Sequence, residues 1–85
     1  FGGEGSRILM KAKKSIFNDL VDWFGTDFSV LSEEKDWYTV SLCCSEDAMF
    51  LWAMQYNTNV EIIEPISLRE KIGERAREMA EKYGK

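Results

Sequence analysis

Two stretches of strict alternation, Arg7 to Lys13 and Trp37 to Cys44, constrain this chain more than any other feature. In the first, Ile8, Met10 and Ala12 share one side and Arg7, Leu9, Lys11 and Lys13 the other. In the second, Tyr38, Val40, Leu42 and Cys44 oppose Trp37, Thr39, Ser41 and Cys43. Strand side chains point alternately to two faces, so each segment offers one side to a core and one to water. This is the pattern of antiparallel strands with one wet face; parallel strands covered on both sides read as continuous apolar runs. The short apolar run Phe28 to Leu31, separated from Trp37 by the charged stretch Ser32 to Asp36, predicts a hairpin. Val60 to Glu64 predicts a last strand with Val60 and Ile62 on the same side, closed by Pro65, which lacks a ladder donor and restricts Glu64.

Between the strands the apolar period changes to that of a helix. Ser15 is placed to cap a segment in which Ile16, Phe17, Leu20, Val21 and Phe24 recur at helical spacing before Gly25. Ser45 is placed to cap a second, with Glu46 and Asp47 at its positive end, a stripe of Ala48, Met49, Trp52, Ala53 and Tyr56, and an end near Asn57. Ser67-Leu68-Arg69-Glu70 has the form of a capping box, and Leu68, Ile72, Ala76, Met79 and Tyr83 continue as a narrow stripe between solvated charged faces, with Glu78 and Lys82 spaced as an ion pair. Trp23 falls off the first helix's stripe and is expected to reach outward.

The order β-α-β-β-α-β plus a helix predicts an α+β, ferredoxin-like sandwich: a four-stranded antiparallel sheet, two helices on one face, the first and third strands central. Residues 1–6, glycine-rich, are expected to be a flexible leading segment left by an upstream domain, and residues 7–85 a single domain.

Composition narrows the chemistry. Eleven basic against fifteen acidic residues give a net charge of −4, which disfavours a stand-alone nucleic-acid or anionic-membrane binder. Histidine is absent, removing the commonest general base and metal ligand. The only cysteines, Cys43 and Cys44, are strand neighbours on opposite faces that cannot bridge each other undistorted, which predicts a reduced, cytoplasmic protein. The longest uncharged run, Ala48 to Val60, is too short to span a bilayer. Neither Asp19 with Asp22 nor Glu33, Glu34 and Asp36 has the spacing of a calcium loop, and Lys13-Lys14-Ser15 lacks the glycines of a phosphate cradle. An RNA-recognition domain has the same strand order and stacks bases on aromatics of its first and third strands, but here the first strand has no aromatic and the third lacks the basic, glycine-containing consensus. No catalytic residue, cofactor site or metal site is predicted. What remains is the open sheet face: Leu9, Lys11, Lys13, Trp37, Thr39, Ser41 and Ile63 form the candidate surface for a partner or a small anionic ligand.

The segments Asn18-Asp19-Leu20-Val21-Asp22-Trp23-Phe24-Gly25, Trp52-Ala53-Met54-Gln55-Tyr56 and Val60-Glu61-Ile62-Ile63-Glu64-Pro65, followed by Leu68-Arg69-Glu70, together resemble the C-terminal extension (WCX-type) of WYL-domain transcriptional regulators. The resemblance runs from Arg7 to Tyr83, with Asn57 where a glycine is usual. It implies a bacterial cytoplasmic regulator whose DNA is bound by an N-terminal winged helix-turn-helix and whose ligand is sensed by a WYL domain, both upstream. The extension is then expected to be a non-enzymatic dimerisation and regulatory domain, a homodimer through itself or with the WYL domain. The competing expectation is a ferredoxin-like sensor that binds a small-molecule or nucleotide effector on its open sheet face or at a dimer interface.

Overall fold

The computed structural model describes residues 5–84; of the expected leading segment, residues 1–4 lie outside the described residues. The elements are β1 (Ser6–Lys13), α1 (Phe17–Phe24), β2 (Phe28–Glu33), β3 (Trp37–Cys44), α2 (Glu46–Tyr56), β4 (Val60–Glu64) and α3 (Ile66–Tyr83), with 3-10 turns at Lys14–Ile16 and Asn57–Asn59. The four strands form an antiparallel sheet in the order β2-β3-β1-β4, so β1 and β3 are central, as the element order predicts.

The alternation decides what is buried. Ile8, Met10 and Ala12 of β1, Val40, Leu42 and Cys44 of β3, and Val60 and Ile62 of β4 enter one core with Leu20 of α1, Met49, Phe50, Trp52 and Ala53 of α2, and Leu68 of α3. Aromatic edges close it: Phe24 meets Trp52 at 5.3 Å between ring centroids, Trp52 meets Tyr56 at 4.7 Å, and Phe17 lies 4.9 Å from Tyr38. Such offset and edge-on pairs add to the stabilisation from buried area alone. Lost hydration and then the nearby Asp19 carboxylate push the Tyr56 phenol above its ordinary value.

Helix ends follow the sequence at some points and depart from it at others. The Ser45 hydroxyl accepts from the Ala48 amide at 3.1 Å, the expected N-cap. Gly25 and Asn57 end α1 and α2 at positive φ, 64° and 43°. Ser15 does not cap α1, because the 3-10 turn Lys14–Ile16 intervenes and puts Ile16 at the cap position without a side-chain bond. Ala48 is exposed, and Phe50 joins the buried face of α2 in its stead. The capping box at α3 does not form: α3 begins one residue before Ser67, whose hydroxyl donates to the Glu46 carboxylate of α2, 3.1 Å from Oε1. Arg75 rather than Lys82 pairs with Glu78, at 3.7 Å.

The largest departure is α3 itself. Its stripe is apolar from Leu68 to Tyr83, yet only Leu68 is buried; Met79 is 45% and Tyr83 79% exposed. Trp23 is 60% exposed, outward as its spacing predicts.

Candidate functional site

The two helices of the βαββαβ unit cover one side of the sheet, and the other side is open. On it the central strands set Arg7 opposite Cys43, Leu9 opposite Ser41, Lys11 opposite Thr39 and Lys13 opposite Trp37. Six of the seven residues singled out in the sequence therefore stand as three cross-strand pairs, and all six are half-buried. Ile63 is placed differently. The β1 register passes from Met10 opposite Ile62 to Leu9 opposite Glu64, so Ile63 is the extra residue of a β-bulge and faces no residue of β1.

The polar groups of this face are only partly matched to one another. Lys11 Nζ reaches Glu34 Oε1 at 3.2 Å, and Glu61, beside Lys11 on β4, is engaged by Arg69 at 3.3 Å. The Arg7 guanidinium donates to the Ser41 hydroxyl at 3.1 Å, and Lys13 Nζ lies 5.7 Å from the centre of the Trp37 ring, a cation–π placement. Neither Arg7 nor Lys13 has a carboxylate partner among the described residues. A chain of net charge −4 thus places two cations uncompensated by carboxylate on this face, Lys13 over the half-buried Trp37 and Arg7 at the far end of the β1–β3 ladder. The acidic side chains of α1 and α2, Asp19, Asp22, Glu46 and Asp47, belong to the helix layer. Arg7 completes the platform, and its place was legible in the β1 alternation. At the rim, the Lys14 ammonium donates to Glu33 at 2.6 Å, and that bond holds its pKa above the ordinary lysine value.

Nothing in this arrangement forms a catalytic constellation. Cys43 is exposed and Cys44 is buried, and both are free; burial pushes the Cys44 thiol up, away from reactivity. Among the described residues no group of carboxylates and cysteines is gathered to hold a metal ion. No described helix is long and apolar enough to cross a membrane.

A family model described as WCX domain matches residues 7–80. The chain belongs to the WCX domain family. No curated protein matches the chain. WCX is a regulatory-domain family rather than an enzyme family, consistent with a C-terminal domain of WYL regulators.

A second open surface of this WCX domain was not legible in the sequence. An apolar groove of about 790 Å³ runs between α3, β4 and the end of α2, lined by Met54, Val60, Ile62, Ile72, Ala76 and Met79 among others. Arg69 stands at its rim and donates to the Ile62 carbonyl at 2.8 Å, tying α3 to β4. The stripe of α3 foretold an apolar face, but period alone does not say whether such a face is covered.

Proposed function

We propose that this WCX domain is a non-enzymatic dimerisation and regulatory module of a WYL-type transcription regulator in the bacterial cytoplasm. The observation that carries the proposal is that the domain leaves two surfaces uncovered, the sheet face and the apolar groove beside α3. A platform with Leu9 and Trp37 half-buried among Arg7, Lys11 and Lys13 is suited to being finished by a partner. In this reading DNA is bound by a separate winged helix-turn-helix domain, and the WCX domain joins copies of the regulator while its sheet face takes the sensor domain or an effector. The experiment is sedimentation equilibrium of the 85-residue chain from low micromolar to millimolar concentration. The proposal expects a concentration-dependent dimer, and a monomer throughout contradicts self-association.

A second reading, effector binding at the sheet face, is favoured by Lys13, which lies over the Trp37 ring and has no carboxylate partner among the described residues. A planar anion would stack on Trp37 and meet the Lys13 ammonium.

A further inference from the structure

Gly73 stands in the interior of α3, where glycine weakens a helix, and the fold gives no reason for it: a Cβ placed there meets no atom within 4 Å. From Glu74 to the end of α3 every residue is exposed. Its 18 residues span about 27 Å, against about 17 Å for the five residues of β4 beneath it. The C-terminal turns overhang, and their apolar side forms one wall of the groove. Glu70 and Arg77 flank this side. They are two helical turns apart and so lie on one flank of α3, with Gly73 close to midway between them. Both are exposed, and neither joins an ion pair among the described residues.

We infer that α3 of a second copy fills this groove, the two helices crossing antiparallel at Gly73 about a two-fold axis. In a contact of this symmetry, whatever residue i meets across the axis also meets residue i in the other copy. With the axis beside Gly73, Glu70 of each copy faces Arg77 of the other, so opposite charges meet on both sides of the crossing. The missing Cβ lets the two backbones approach, as small residues do at close helix crossings. Ile72 and Ala76 then pack at the centre, and the exposed Met79 and Tyr83 of each copy run along the β4 side of the other. An unrelated helix in the groove would need no such pairing of Glu70 and Arg77 about Gly73. The inference rests on the reading of the domain as a dimerisation module, names its contact as α3, and leaves the sheet face to the sensor domain or effector.

The test is sedimentation equilibrium, from low micromolar to millimolar, of the 85-residue parent chain, Glu70→Arg, Arg77→Glu and the double variant. Each single change sets like charges together on both sides of the axis and is expected to weaken dimerisation on the order of tenfold. The double variant exchanges the two partners and is expected to recover the parent's dimerisation constant, which also shows that both exposed positions tolerate the changes. Single variants that dimerise like the parent overturn the inference while leaving a dimer that uses another surface. A double variant no better than the singles overturns the pairing and leaves the dimerisation reading intact. A parent that stays monomeric overturns both.

Discussion

Replacing Gly73 by alanine separates the stability of the single domain from its self-association, because the two are expected to move in opposite directions. In one copy the new methyl enters open space, since no atom lies within 4 Å of its position. The substitution therefore acts through the backbone alone, and glycine in a helix interior costs about 0.5–1 kcal/mol relative to alanine. A chain of 85 residues unfolds with an entropy of about 0.18 kcal/mol/K, at about 2.1 cal/mol/K per residue. The melting temperature should then rise by about 3–6 °C. Circular dichroism melting at low micromolar concentration is the assay, because dimer formation at higher concentration would add its own stabilisation by mass action. An unchanged or lowered melting temperature would refute the reasoning, since it would mean that the position is not open or not helical. At high concentration the same methyl stands between two crossing backbones, and sedimentation should show weaker association than in the parent. A glycine retained for the fold of one copy would not produce that opposition.

Two further outcomes test the fold and the sheet face. Ser45→Ala removes the cap that accepts from the Ala48 amide at 3.1 Å and should cost about 0.5–2 kcal/mol, read as a lower urea midpoint at unchanged slope; an unchanged midpoint contradicts the cap. If the sheet face takes a planar anion, millimolar nucleoside monophosphate as the probe should raise the melting temperature of the parent but not of Trp37→Ala with Lys11→Glu; equal shifts in both would remove these residues from the site.

The sheet was legible because burial on one side writes itself into alternate positions. Ile8, Met10 and Ala12 against Lys11 and Lys13, and Val40 and Leu42 against Thr39 and Ser41, fix which face of each strand is buried, and the β-α-β-β-α-β order places the two strands at the centre. The candidate site was legible for the same reason, since whatever alternates away from the core must line the open face. Ile63 shows the limit. A bulge inserts one residue without changing composition, so parity along Val60 to Glu64 could not reveal it. Ser67 shows another, because a serine that suits a cap locally can be claimed by a distant carboxylate, here Glu46. The stripe of α3 shows the third. Leu68 and Tyr83 share one helical period, yet one is buried and the other exposed, because β4 is too short to lie under the whole helix. That is a fact of relative length in space, and a helical wheel does not contain it.

The central claim is that this WCX domain joins copies of its chain, and sedimentation equilibrium of the 85-residue chain tests it most directly. The account predicts a reversible dimer whose fraction rises from low micromolar to millimolar concentration. A single monomeric mass across that whole range would contradict it.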